Sequence, residues 1–366
     1  FLWVSTGGGE LIDRGYAVAC DQLGNAYVTG HFQSPTAAFS DVTVKNGGDY
    51  DLFVAKYNPQ GELVWIQSGG GAGYDYGHGI AADRLGHVFV AAAITGQGNY
   101  NGQPVGHAGP AHLVCLGLDA DGKVRWHHAA AGEGSSSGHA MTADGQGNCC
   151  LGGYASGVST LAGEPLGTAG SRDLVVARFD SAGSLVWLHS GHGSDSAMIH
   201  GISADSQGNI WASGMFQGKL KLADRTVSSA GRYDILLTRF DASGKRLWTR
   251  TAGGEGIDYG LGITTDGQGN CYTTGSFTGE VAFEETLQES QTAGSDIHIV
   301  KLNGDGHLQW FQQCGGVRTD HAYSIVSDGR GNLYLSGACH GPATFGKHQL
   351  DNLGSNDIFL TKIRLK

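Results

Sequence analysis

The stretch DLFVAKYNPQGELVWIQS, residues 51–68, decides the fold class. It contains two short segments, 51–57 and 62–68, in which apolar residues alternate with small or polar ones. An alternation of period two is typical of half-buried β-strands. The turn between them opens with Asn58 and closes with Gly61, which takes the positive φ that other residues avoid. The stretch therefore predicts an antiparallel hairpin.

The same hairpin recurs along the whole chain. Trp65 belongs to a column of tryptophans spaced 61 or 62 residues apart, at positions 3, 65, 126, 187, 248 and 310. Eighteen residues after each tryptophan, a second turn of the form D-x-x-G begins, at Asp21, Asp83, Asp144, Asp205, Asp266 and Asp328. Six units of about 61 residues fill the 366 positions, and a complete unit has four strand segments. The sequence predicts an all-β, six-bladed β-propeller of four-stranded antiparallel blades, in one domain spanning 1–366.

The unit boundaries predict how this ring would close. The last unit has strand segments at 323–327, 333–337 and 357–363, but no fourth one follows. Residues 1–8, FLWVSTGG, have the sequence of a fourth strand. We expect this N-terminal strand to pair with the C-terminal strand 357–363, because that pairing protects both exposed edges.

Composition narrows the function classes. The chain has 63 glycines, 16% charged residues and a net charge of −11. Such a charge excludes a general attraction to nucleic acid or to anionic membranes, so no nucleic-acid partner is expected. No apolar run approaches the 18 or so residues that span a bilayer, so no membrane span is expected. The seven cysteines form an odd set without a metal-binding spacing, which favours free buried thiols.

Several units resemble a known family. Segments such as DLFVAKYNPQGELVW (51–65), GNCYTTGSFTGEVAFE (269–284) and AGSDIHIVKLNGDG (293–306) are similar to the bacterial SBBP-type β-propeller repeat. The resemblance covers essentially the whole chain. It implies a secreted protein of a Bacteroidetes-like organism, located outside the cell or on the surface of a Gram-negative bacterium. It transfers no catalytic residue, and the family name presumes seven blades where this chain has six units.

Candidate site residues are found where the units differ. Five residues before each turn aspartate lies a column that we place at the channel mouth: Tyr16, His78, His139, His200, Leu261 and Tyr323. Further candidates on the same face are Arg14, Tyr76, His321, His31 and Tyr154, together with a column of aspartates at 13, 75, 258 and 320. His112 is also a candidate, because it replaces the aspartate that opens the third strand in the other units.

Four interpretations of this cluster remain open. The residues could simply fill a polar channel mouth. They could form a ligand-binding site, in which Tyr16, His78, His139, His200, Tyr323, His31, Tyr154, His112, His321 and Tyr76 stack on and hydrogen-bond a glycan. They could form an active site, with His139, His78, His200, Tyr16 or Tyr323 as the base and Arg14 neutralising a uronate carboxylate. The last is a metal centre of His78, His139 and His200, which sheets about 10 Å apart would strain.

The sequence favours a secreted or cell-surface binding module that recognises a glycan or other polar ligand. One alternative is a polysaccharide lyase or related carbohydrate-active enzyme on the same face. Another is a protein–protein interaction scaffold for a second surface protein. No cofactor is expected, and a bound metal ion is kept as an alternative.

Overall fold

The computed structural model describes residues 2–290, 294–351 and 354–365. In these ranges the chain consists of β-strands joined by turns, and none of the described residues is assigned to a helix. The predicted all-β class is confirmed. Within the same ranges, no helix has the length and apolar character needed to cross a membrane.

The described residues group into two compact units, Phe1–Ser190 and Gly191–Lys366. The predicted single domain is not tested by this grouping and stays a prediction. Each repeat forms an antiparallel sheet in which successive long strands are neighbours. We number these sheets 1 to 6 along the chain.

Sheets 1 to 3 are built mainly from the first unit. Sheet 1 contains the strands Asp13–Cys20, Ala26–Phe32, Asp51–Tyr57 and Leu63–Gly70. Sheet 2 contains Tyr76–Ala82, Val88–Tyr100, Gln103–Leu118 and Val124–Ala129. Sheet 3 contains Ser136–Ala143, Cys149–Ser156, Arg172–Phe179 and Leu185–Gly193, the last of which runs on into the second unit.

Sheets 4 to 6 belong to the second unit. Sheet 4 contains Ala197–Ala204, Ile210–Phe216, Asp234–Phe240 and Arg246–Ala252. Sheet 5 contains Tyr259–Thr265, Cys271–Thr278, Ser295–Leu302 and Leu308–Gly316. Sheet 6 has three strands within the described ranges: Asp320–Ser327, Asn332–Cys339 and Asp357–Arg364.

A small hairpin connects the second and third strands of each repeat. Five hairpins are separate strand pairs: Thr36–Phe39 with Val42–Lys45, Ser159–Leu161 with Glu164–Gly167, Lys219–Leu222 with Arg225–Ser228, Glu280–Phe283 with Thr286–Glu289, and Ala343–Phe345 with His348–Leu350. In sheet 2 the hairpin is the far end of the two central strands, which are 13 and 16 residues long.

The end of each fourth strand, or the segment directly after it, pairs with the small hairpin of the next repeat. Gly69 and Gly70 pair with Tyr100 and Asn99, and the same arrangement recurs at Ala131–Gly132, at His192 and Gly193, at Gly253 and at Gly315 and Gly316. The short strand Gly7–Gly8 pairs with Thr36–Phe39 in the same way. The N-terminal segment therefore occupies the place of a fourth strand that precedes sheet 1.

The ring closure is not seen in the described residues. Asp357–Arg364 pairs there on one side only, with Asn332–Cys339, and its outward residues Ile358 and Leu360 are 91% and 77% exposed. Phe1, which belongs to the predicted closing strand, lies outside the described residues. The closure and the count of six blades stay predictions.

The turn chemistry read from the sequence is confirmed. In the six turns that begin at the turn aspartates and in the five that precede a tryptophan, such as the turn 58–61, the closing glycine has a positive φ between 78° and 87°. The carboxylate of the opening aspartate accepts hydrogen bonds from groups within its own turn. Asp21 Oδ1 accepts hydrogen bonds from the backbone N–H groups of Leu23 and Asn25, while its Oδ2 accepts from the Asn25 amide. These residues fix the strand ends and are not available for chemistry.

The cores lie inside and between adjacent sheets of each unit. In the first unit, one cluster of buried residues includes Phe89, Leu151 and Phe179. In the second unit, Trp211 is fully buried among residues such as Leu237, as its register in the repeat predicts. None of the seven cysteines, all within the described residues, forms a disulfide; Cys20 is exposed and the other six are buried. The expectation of buried thiols outside disulfides is confirmed for six cysteines and is wrong for Cys20, whose side chain is exposed.

Candidate functional site

A β-bulge presents the candidate column in every repeat. Each first strand shifts its register against the second strand at one residue, which is left out of the ladder between the two strands. The bulged residues are Tyr16, His78, His139, His200, Leu261 and Tyr323. A bulge re-aims a side chain and is common beside functional sites. The column that the sequence singled out is thus set apart by the backbone.

Small residues beside the bulges let neighbouring first strands approach closely. A Cβ atom at Gly79 would lie 2.9 Å from the backbone of Ala140, and one at Gly262 would lie 2.9 Å from the backbone nitrogen of Ile325. Consequently, the rings of His78 and His139 are only 4.9 Å apart, centroid to centroid. The sheet spacing of about 10 Å used in the sequence analysis does not apply to these strands.

The first unit carries a continuous surface of ring side chains. Tyr16 lies 5.2 Å from both His31 and His78, and His139 continues the path to Tyr154 at 5.5 Å. We call the whole set the aromatic surface: Tyr16, His31, Tyr50, Tyr74, Tyr76, His78, His139 and Tyr154. The Arg172 guanidinium lies 4.4 Å from the Tyr154 ring centroid, at one end of the path.

Exposure varies along the aromatic surface. Tyr16 is 43% exposed and Tyr74 is 52% exposed, so their rings are open to solvent. His31 is buried beneath them, and neither of its ring nitrogens has a hydrogen-bond partner among the described residues. Burial lowers the pKa of His31, and the positive charge of Arg14, its partner across the strands, lowers it further. His31 is therefore a neutral imidazole at neutral pH.

The aspartate column has a structural role. Asp75 is fully buried and accepts hydrogen bonds from the backbone N–H groups of Gly71 and Thr95, and Asp258 does the same with Gly254 and Thr278. Asp13 and Asp320 bind backbone N–H groups at the equivalent places. Each carboxylate thus connects the segment that follows a fourth strand with the segment that follows the second strand of the next sheet. They hold the loops around the site and do not line it.

The second unit brings the remaining candidates together in a pocket of its own. The pocket has a volume of about 330 Å³ and is lined by His200, Met215, Tyr259, Leu261, His321 and Tyr323. Burial lowers the pKa of His200 to about 4, so this imidazole is also neutral at neutral pH. His321 Nδ1 lies 2.8 Å from Ser276 Oγ, and its ring stacks on Tyr323.

Two candidates lie apart from the rest of the first-unit set. His112 is fully buried at the start of the third strand of sheet 2, with the exposed His107 ring 6.5 Å away. Arg14 is exposed and lies opposite His31 across the first two strands of sheet 1. Across the described ranges, no group of three or more His, Cys, Asp or Glu side chains is placed to hold a metal ion.

Sequence reasoning missed Tyr50, Tyr74 and Arg172. Tyr50 stacks on His31, with ring centroids 4.6 Å apart, and forms an isolated parallel bridge with Tyr74. A signal for two of them was present, because Tyr50 and Arg172 both directly precede the aspartate that opens a third strand. Tyr233 occupies the same column in sheet 4, and its ring lies 6.1 Å from that of Tyr259.

Comparison with known proteins gives one curated relative and several solved structures at low identity. No protein-family model matches it. The regulatory protein FlaEY of Caulobacter vibrioides is 25% identical over 181 residues, which are 47% of this chain and 19% of the relative. The chain thus spans about a fifth of that curated protein.

Solved structures that resemble the chain have WD40 or β-propeller folds. The aldose sugar dehydrogenase of Streptomyces coelicolor gives a TM-score of 0.44 at 11% identity, covering 98% of this chain and 99% of that one. The Pan2 WD40 domain of Neurospora crassa gives 0.43 at 11% identity, covering 88% and 86%. A puromycin hydrolase gives 0.41 at 10% identity, covering 96% and 52%. At these values no blade count and no chemistry is carried over.

Proposed function

We propose that the protein is a binding module whose aromatic surface recognises a saccharide. The observation that carries the proposal is the unbroken series of tyrosine and histidine rings in the first unit, from Tyr74 through Tyr16 to Tyr154. Sugar rings present C–H faces that pack on aromatic rings, and hydroxyl groups that pair with phenols and imidazoles. Phenols and imidazoles are both present along this surface.

The electrostatics of the surface suit a polar ligand without a fixed negative charge. Burial raises the pKa of Tyr76, so its phenol remains a neutral donor and acceptor at physiological pH. His31 is neutral as well, and each neutral imidazole offers one donor and one acceptor. A ligand that reaches beneath Tyr16 would satisfy the two nitrogens of His31, which have no partner among the described residues.

A glycan array tests this function. Wild-type protein should retain a defined set of glycans. The double variant Tyr16→Ala/Tyr76→Ala should bind them about 5- to 150-fold more weakly, since each lost ring contact is worth about 0.5–1.5 kcal/mol. Tyr323→Ala is the matched control, because this exposed tyrosine occupies the same bulge position in the second unit. Equal binding by the wild type and the double variant would contradict the proposal.

We further propose that the six sheets form a closed ring, the six-bladed propeller expected from the repeat. Leu52 and Val54, in the third strand of sheet 1, are fully buried, whereas the equivalent Ile358 and Leu360 are exposed. A fourth strand covers the first pair and would cover the second. Trp3 Nε1 donates to Pro59 O at 3.1 Å, as Trp65 Nε1 donates to Ala120 O one repeat later. Trp3 thus already makes the contact of a fourth-strand tryptophan.

The buried carboxylates support the same closure. Gly70 lies between the carboxylates of Asp51 and Asp75, and Gly315 lies in the same way between those of Asp296 and Asp320. Gly8 is the counterpart of these glycines and lies against Asp13. By the repeat, the second carboxylate of this set is that of Asp357. Pairing of residues 1–8 with 357–363 would complete the pattern.

A designed disulfide tests the closure. Lys56 pairs with Trp65, so the repeat sets Trp3 opposite Lys362 and Ser5 opposite Leu360. In a Cys20→Ser background, Ser5→Cys with Leu360→Cys should form a disulfide within one chain. Ser5→Cys with Ile358→Cys is out of register and should form it poorly. Disulfide-linked dimers alone, or no disulfide, would contradict a closed ring.

The location outside the cell, or on the surface of a Gram-negative bacterium, is part of this proposal. It is supported by the saccharide-binding character proposed for the aromatic surface. Fractionation of cells that express the complete protein, followed by detection in medium and surface fractions, tests it. Detection only inside intact cells would contradict it.

A further inference from the structure

Positive charge is concentrated in one repeat of an acidic chain. Residues 219–250 contain eight of the 23 Lys and Arg residues and only three acidic residues. The remainder of the chain therefore carries 15 basic and 31 acidic residues. A local excess of this kind attracts anions even when the net charge is negative.

The charges depart from the repeat at defined positions. Arg246 lies two residues before the column tryptophan, where other repeats have Leu63, Val124, Leu185 and Leu308. Arg225 opens the second strand of its hairpin, where other repeats have Val42, Gln103, Glu164, Thr286 and His348. Arg250 follows the tryptophan by two, where other repeats have Ser5, Gln67, His128, His189 and Gln312. The scaffold does not require arginine at any of these positions.

These side chains meet in one open groove of the second unit. The groove has a volume of about 590 Å³ and contains four arginines: Arg225, Arg239, Arg246 and Arg250. Asp305, Gly304 and His307 of the following repeat complete its wall, with Trp248 at its floor. A volume of this size lies within the range of small-ligand sites. We call this feature the arginine groove.

The arginines are only partly neutralised by the protein. Arg239 pairs with Asp205 and Arg246 with Asp224. Arg250, in contrast, donates to the backbone oxygens of Thr249, Asp305 and Gly306, which leaves its charge uncompensated. Arg225 is exposed at the rim. The acidic groups at the groove include Asp205 and Asp224, which pair with Arg239 and Arg246, the side chain of Asp305, and Glu284, which binds His307.

We propose that the arginine groove binds an acidic saccharide segment through its carboxylate or sulfate groups. Guanidinium groups pair with such oxyanions through two parallel hydrogen bonds, and Arg250 is held in place for this by its backbone contacts. A short segment fits the groove. A long, uniformly charged nucleic acid would also extend over the acidic residues outside the groove, which repel its phosphates. This site is separate from the aromatic surface and does not depend on it.

Binding of short dextran sulfate and of oligogalacturonate to the full chain tests the proposal, with neutral dextran as the reference. At least one of the two acidic probes should bind to the protein. Its affinity should be higher at about 50 mM than at about 200 mM salt, because salt weakens the binding of polyanions over this range. Arg225→Gln/Arg250→Gln should reduce this affinity about tenfold or more, and Lys45→Gln should not. The relative affinities of the two probes identify sulfate or carboxylate as the preferred group.

Three results would overturn the proposal: equal binding of neutral dextran, unchanged binding by Arg225→Gln/Arg250→Gln, or tighter binding of a single-stranded oligonucleotide than of either saccharide. Tyr16→Ala/Tyr76→Ala should bind the acidic probes as the wild type does. Loss of acidic-probe binding in that variant would assign the binding to the aromatic surface and would likewise contradict a separate groove site.

Discussion

The imidazole of His31 stacks on the ring of Tyr50, with centroids 4.6 Å apart and planes inclined by 14°, while neither of its nitrogens has a partner among the described residues. A buried polar group without a partner costs about 1–3 kcal/mol. A scaffold gains nothing from such a residue, since an apolar ring would stack equally well. The cost is understandable if a ligand supplies the missing hydrogen bonds, which is the argument for a binding role.

The first prediction follows from this relationship. His31→Phe keeps a stacking ring and removes the two nitrogens, so the free energy of unfolding should stay equal or rise by about 1 kcal/mol. Saccharide binding should nevertheless weaken. Denaturant unfolding and glycan titration of the same variant measure both quantities. A variant that binds as well as the wild type would assign His31 a packing role only.

The same variant makes a prediction about pH. Burial lowers the pKa of His31 below its ordinary value of 6.5, so the unfolded chain takes up a proton that the native protein does not. The contribution of His31 to stability is therefore lost as the pH falls below about 6.5. Unfolding measured between pH 7 and pH 5 should show a smaller decline for His31→Phe than for the wild type. Parallel declines would contradict a neutral, buried imidazole.

A carboxylate gives the opposite pH dependence. Burial raises the pKa of Asp258 to about 7, and the nearby Asp234 adds to the effect. The native protein holds this proton more tightly than the unfolded chain, so the contribution is present at low pH and is lost as the pH rises through 7.

Asp258→Asn removes this titration. The stability of the wild type relative to this variant should fall by about 2–3 kcal/mol between pH 5 and pH 8, since one pKa unit corresponds to about 1.4 kcal/mol. Asp41→Asn, at an exposed position, serves as the control. A difference that does not change with pH would show that Asp258 is ionised throughout.

Gly70 should be intolerant of any side chain. A Cβ atom there would collide with the carboxylates of Asp51 and Asp75. Gly70→Ala should therefore lower the free energy of unfolding by about 1–3 kcal/mol, as overpacked positions do. Gly267→Ala is the control, because nothing lies within 4 Å of its Cβ position. Equal stability of the two variants would mean that the carboxylate pair can rearrange freely.

A turn aspartate that forms a buried ion pair, such as Asp144 or Asp205, should matter more for stability than one that only caps its turn. Asp144 pairs with Arg178 at 2.6 Å, and both side chains are only 7% exposed. Asp144→Ala removes the carboxylate partner of this buried guanidinium and should cost about 3–5 kcal/mol. Asp328 caps an exposed turn of the same form, so Asp328→Ala should cost clearly less. Similar losses, measured by denaturant unfolding, would indicate that the turn and not the ion pair determines stability.

The repeat made much of the fold predictable from sequence. Column tryptophans such as Trp65 and turn glycines such as Gly61 recur at one spacing, and each reports a local requirement of backbone or packing. The bulges were not predictable, because the period-two pattern does not show which residue of a first strand is left out of the register with the second strand. The small residues flanking His78, namely Gly77 and Gly79, were the available signal.

The site was only partly predictable, for a related reason. Asp75 looks like a site residue in sequence, since nothing local reveals that distant backbone N–H groups at Gly71 and Thr95 bind it. Tyr50 looks like a loop residue, although it lies under the centre of the aromatic surface. In both cases the decisive partner comes from another strand, and a repeat pattern carries no information about such partners.

Saturation-transfer difference NMR of the wild-type protein with a glycan selected on the array tests the saccharide-binding claim most directly. Irradiation of the protein's aromatic protons should transfer saturation to the ring protons of the sugar. The transfer should vanish in Tyr16→Ala/Tyr76→Ala and persist in Tyr323→Ala. Transfer of equal strength in the double variant, or none from the wild type, would contradict saccharide recognition by the aromatic surface.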